Sequence, residues 1–97
     1  MTSDAALDRA LHAIADPTRR RILQALKEGK GAEGKTGCLC GGDIEERIRL
    51  SQPTISHHMS ILTKAGLVEA AKEGQWRWYR RNEKAIRQVV KNLRGKL

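Results

Sequence analysis

Ninety-seven residues leave room for one small hydrophobic core and exclude two independent domains. Lysine and arginine number 19 against 11 aspartates and glutamates, and the excess is one-sided: residues 64–97 hold 10 bases and 3 acids, residues 1–63 hold 9 and 8. That asymmetry, in a chain of pI near 10.1, points to a polyanion, and no apolar run approaches the ~18 residues of a membrane span, so a cytoplasmic protein without a membrane partner is expected.

Ser3 is a candidate N-cap for a first helix, about residues 3–15, in which Leu7, Leu11 and Ile14 recur at helical spacing. Asp16-Pro17 ends it and opens a second helix, with Asp16 as N-cap and Pro17 in the first helical position. Ile22, Leu23 and Leu26 face inward there, and the helix stops near Gly29. Residues 29–42 hold six of the nine glycines and no helical period, which reads as a loop with a short strand around Cys38, Leu39 and Cys40. Asp43 is expected to cap a short helix, with Glu46 completing a capping-box pair.

Ser51 is a further N-cap, and Pro53 falls in the first turn, where its missing N–H is harmless. Ile55, Met59 and Leu62 form the buried stripe of this helix, and Gly66 closes it. The two helices over about 43–65 make a helix-turn-helix pattern. Val68, Trp76, Trp78 and Tyr79 favour strand, so about 67–81 reads as a hairpin reversing at Glu73-Gly74. Asn82 caps a last helix, about 83–95, striped by Ile86, Val89, Val90 and Leu93. The expected fold is mainly α (α+β): a winged helix-turn-helix with a two- or three-stranded wing, residues 1–97 forming a single domain.

In such a fold the second helix of the pair enters the DNA major groove and the hairpin reaches the flanking backbone or minor groove. Pro53, His57, Ser60 and Lys64 point away from the buried stripe, with Ser56 beside them and Gln52 and Thr54 in the first turn. Glutamine can bond an adenine edge through two atoms, and serine or threonine can bond any base. His57 faces outward; His58 and His12 lie nearer apolar stripes and read as packing residues. Trp76, Trp78 and Tyr79 are the only aromatics; they could stack on bases, but the expected role is to pack the hairpin on the body. No phosphate-cradling loop, paired-histidine zinc motif or nucleophile elbow is present, so no enzyme is expected. The alternative is a basic interaction module, in which helix 83–96 meets an acidic protein or membrane surface without specific DNA readout.

The segments ADPTRRRILQAL, DIEERIRLSQPTISHHMSILTKAGLV and EGQWRWYR resemble the bacterial ArsR/SmtB winged-helix repressors, from about Ala13 to Arg81. The resemblance implies a homodimer that binds a palindromic operator in double-stranded DNA and is released by an effector. It implies DNA contacts at Ser51, Gln52, Thr54, Ser56 and His57, with Lys72, Gln75 and Arg77 touching the flanking groove. Dimerisation would use the first and last helices, through Leu7, Leu11, Ile14, Ile86, Val89, Val90 and Leu93. Cys38 and Cys40 are candidate ligands for a thiolate-bound metal or metalloid. Thiolate-sensing members place a C-x-C pair directly before the aspartate of the short helix, whereas here Gly41 and Gly42 intervene and only Cys40 matches. A redox-sensitive thiol couple and incidental cysteines in a short strand therefore stay open beside the metal reading.

Overall fold

The computed structural model describes residues 4–29 and 37–97; Ser3 and residues 30–36 of the glycine-rich stretch lie outside them. Five helices and three strands follow in the order α1 (Asp4–Ile14), α2 (Pro17–Glu28), β1 (Leu39–Cys40), α3 (Gly41–Ile48), α4 (Gln52–Lys64), β2 (Val68–Glu73), β3 (Trp76–Arg81) and α5 (Glu83–Lys96). This is the expected winged helix-turn-helix, with a three-stranded wing.

Local chemistry accounts for most of the boundaries. Asp16 Oδ1 accepts from the N–H groups of Thr18 at 2.7 Å and Arg19 at 3.2 Å, and Pro17 takes the helical position that needs no donor. Asn82 Oδ1 caps α5 through the N–H of Ala85 at 3.1 Å. Gly66, at φ +78°, lets α4 close with Leu67 N–H on the Leu62 carbonyl (3.1 Å) and Gly66 N–H on that of Thr63 (3.0 Å). That bond pair satisfies two carbonyls left over at the helix end.

Two caps differ from expectation. Asp43 does not cap α3, which starts two residues earlier with Cys40 in the cap position. From the third helical position the Asp43 carboxylate reaches back to accept from the Cys40 N–H at 3.2 Å, the acidic half of a capping box. Ser51 precedes α4, but its hydroxyl lies 3.0 Å from Thr54 Oγ1 instead of bonding a helix N–H.

The sheet runs β1-β3-β2, antiparallel throughout. Leu39 pairs with Tyr79 and Cys40 with Trp78, so the short strand before α3 ties the wing to the helices. Glu73 pairs with Trp76, so the reversal is Gly74-Gln75, one residue beyond the expected Glu73-Gly74. Only Gly74 has positive φ (+62°), the pattern of a two-residue type II′ turn whose twist suits a hairpin. Ile22, Leu26, Leu39, Ile44, Met59 and Leu62 are fully buried and centre one core shared by α2, α3, α4 and the wing root. One buried charge enters it from the side. Arg19 sits where α1 turns into α2 and donates through Nε to the Ala13 carbonyl (2.6 Å) and through Nη2 to that of His12 (3.1 Å).

Candidate nucleic-acid interface

With Ile55, Met59 and Leu62 turned into the core, α4 presents its remaining faces outward. Ser51, Gln52, Thr54, Ser56, His57, Ser60 and Lys64 are all exposed. Gln52 Nε2 donates to Ser56 Oγ at 3.1 Å, one turn along, which pre-orients the amide at the helix start. Lys64 lies twelve residues on, about 18 Å along the axis, beside Asp8, Arg9 and His12 of α1.

The wing approaches the same end of α4. A cleft of about 310 Å³ separates the two, lined among others by Gln52 and Ser56 on one side and Gln75, Trp76 and Arg77 on the other. Lys72 and Arg77 are directly opposed across β2 and β3, both exposed and in no ion pair among the described residues. Two like charges so placed repel, and an anion between them relieves the repulsion. Arg80 is not available in this way: its guanidinium holds Glu69 at 2.9 Å, and this contact keeps the group above its ordinary pKa.

The aromatics divide. Trp78 and Tyr79 are buried and anchor the wing, as expected, but Trp76 is 52% exposed at the wing tip. Its expected packing role is therefore corrected. The sheet is three strands wide at Trp78, where Cys40 pairs with it, and only two strands wide at Trp76.

Cys40 also borders the cleft between α4 and the wing, and Cys38 lies outside it. Cys40 is buried at the start of α3, and its thiol donates to Asp43 Oδ2 at 3.2 Å. Burial, opposed by the N–H groups of Asp43 and Gly42 and reinforced by the hydrogen bond to and the charge of the Asp43 carboxylate, pushes its pKa up. Cys38 is half-buried beside β3. No three His, Cys, Asp or Glu side chains converge as a metal site among the described residues.

On α1 and α5 the residues expected at a dimer contact fall into three groups. Leu7 is buried within the protomer, with 6% of its surface accessible. Leu11, Ile14, Ile86, Val89 and Leu93 are half-buried, with Ile14, Ile86 and Val89 packed on the protomer's own core. Val90 is 61% exposed. No helix among the described residues is long and apolar enough to cross a membrane.

Residues 16–70 match the model of the bacterial regulatory proteins of the arsR family. The chain is 40% identical over 79 residues to an uncharacterized HTH-type transcriptional regulator of Methanocaldococcus jannaschii, covering 81% of each chain. It is 34% identical over 87 residues to the arsenical resistance operon repressor of Staphylococcus aureus, covering 90% of this chain and 76% of the relative. An ArsR-like transcriptional regulator from Rhodococcus sp. RHA1 superposes with a TM-score of 0.77 at 26% identity, over 93% of this chain and 77% of that one.

Proposed function

Because the chain belongs to the arsR family of bacterial regulatory proteins, and is thus a DNA-binding transcriptional regulator and not an enzyme, we propose that it acts as a homodimeric repressor on a palindromic operator. The observation that supports its DNA-facing side is the shared cleft, in which Gln52 and Ser56 of α4 lie across from Gln75 and Arg77 of the wing. With α4 in a major groove, Gln52, Thr54, Ser56 and His57 face base edges, and Ser51 and Ser60 the groove walls. Lys64, Lys72 and Arg77 then meet phosphates. Affinity would come largely from the cations and sequence preference from the first turns of α4.

Two-fold pairing would run through the outer side of α5, where Val90 is exposed and Leu93 half-exposed, and through Leu11 of α1, also half-exposed. Half-sites on the operator should then lie about one helical turn, ~34 Å, or a multiple apart.

The relatives that repress arsenical resistance operons raise a metalloid as effector. The thiols here do not fit one. A closed thiolate site needs more donors than Cys40 and the one other cysteine of the sequence supply, and among the described residues no third ligating side chain converges with them. No release step is therefore derived through Cys38 and Cys40.

The test is selection of duplexes from a random library by the purified protein, followed by mobility shift and sedimentation. A retained palindromic sequence and a dimer at micromolar concentration are expected. Equal retention of random competitor would replace this reading with that of a basic module lacking specific readout.

A further inference from the structure

Among the residues at the wing tip, Trp76 is the one whose exposure local packing does not explain. A half-exposed tryptophan keeps a large apolar surface in water, and its ring stands only partly covered by the neighbouring Trp78, with centroids 6.2 Å apart at 27°. It follows the Gly74-Gln75 turn directly and borders the cleft that also holds Gln52, Gln75 and Arg77. Side chains alternate along a strand, so Trp76 lies on one face of the hairpin while Lys72 and Arg77, paired in register, lie on the other. The tip thus carries an indole on one side and two free cations on the opposite side.

We propose that Trp76 is a DNA-contacting residue of the wing, packing its indole against the sugars of the minor groove next to the major groove that α4 fills. A groove has two sugar–phosphate walls, and the two faces of the tip match them: Lys72 and Arg77 take phosphates while the indole covers the apolar deoxyribose rings opposite. Its ring N–H can also reach the acceptors that line an A·T minor groove. Trp78 serves as the shelf that holds the indole outward. DNA is favoured over an acidic protein because the cleft beside Trp76 is continuous with the polar face of α4. This role rests on the DNA-binding reading above.

The test uses the two tryptophans as reporters, since no others exist in the chain. With a duplex selected by the protein itself, acrylamide quenching is compared for the wild type and Trp76→Phe, whose emission comes from Trp78 alone. Trp76 emission should be readily quenched in the free protein and shielded in the complex. Trp76→Ala should bind that duplex about tenfold more weakly, with the dependence on salt unchanged, and Trp76→Phe should recover most of the loss. Equal quenching of Trp76 in the free and bound protein, or full affinity of Trp76→Ala, would overturn the inference while leaving the operator reading intact. Shielding that appears without DNA as protein concentration rises would assign the indole to a contact between copies, and overturn it too. Failure of the wild type to retain any duplex would instead bring down the DNA-binding reading itself.

Discussion

Arg19 Nη1 lies 3.2 Å from Nδ1 of His58, so a buried guanidinium joins the corner between α1 and α2 to the half-buried side of the recognition helix. Arginine has no acceptor, so the imidazole must accept at Nδ1. The exposed neighbour His57 is left on the outer face, with its ring 5.8 Å from that of His58. Arg19 thus adds a polar tie between α4 and the amino-terminal helices to the core packing of Met59 and Leu62.

Arg19→Ala should therefore cost about 2–4 kcal/mol, because it strands the Ala13 carbonyl and removes the donors to the His12 carbonyl and the His58 nitrogen together. Arg19→Lys should recover little, since one ammonium cannot span the three acceptors. Urea unfolding of the three proteins measures this directly; a lysine variant as stable as wild type would contradict the bridging role.

Asp16 links the same corner to pH. Partial burial works against its carboxylate, but the N–H groups of Arg19 and Thr18 and the Arg19 guanidinium outweigh it and hold the carboxyl below its ordinary 3.8. A depressed folded-state pKa contributes stability that is complete above the ordinary value and is lost as pH falls through the depressed one. The stability difference between wild type and Asp16→Asn should thus be largest near neutrality and shrink below about pH 4. Urea midpoints across that range give the comparison, and a constant difference would remove the carboxylate from the effect.

The turn between α3 and α4 carries strain. Arg49, at φ 63° and ψ 43°, is the one non-glycine residue with positive φ among the described residues. A side chain there costs roughly 1 kcal/mol relative to glycine, partly offset by the unfolded-state freedom glycine adds. Arg49→Gly should stabilise by about 0.5 kcal/mol and Arg49→Ala should not. A thermal midpoint that moves equally in both variants would trace the effect to lost charge instead.

Base preference and affinity should separate by element. Gln52→Ala and Thr54→Ala are expected to cost about 1–3 kcal/mol at single operator positions. Arg77→Ala should weaken binding to all duplexes alike and lower the salt slope by about one. Selection profiles and salt titrations distinguish the two, and an altered base preference in Arg77→Ala would reverse the assignment.

The dimer proposal has a cleaner probe than its half-buried residues. Val89 packs on the protomer's own core, so a charge there would unfold the chain as readily as separate two chains. Val90 is exposed, and Val90→Asp should yield folded monomers of unchanged helicity that have lost operator binding. Sedimentation of this variant as a dimer would move the contact elsewhere.

The order of elements, the helix-turn-helix and most caps were legible in the sequence because they depend on neighbours within about one helical turn. Asp16, Asn82 and Gly66 act on backbone groups two to four residues away, and the stripe of Ile55, Met59 and Leu62 repeats with the helix itself. The outward row from Gln52 to Lys64 follows from the same periodicity. What spacing could not supply was anything set by strand register or by contacts between distant segments. Trp76 and Trp78 are equivalent by alternation, and only the two-residue length of β1 covers one and leaves the other exposed. Leu7 and Val90 both lie on apolar stripes, yet tertiary packing buries the first and leaves the second in water. The partner of Arg19 lies 39 residues away, and the Cys40 proton became bound to Asp43 only because α3 begins at Gly41. Local hydrogen bonding is written in neighbouring residues, whereas burial is a property of which surfaces the folded chain brings together.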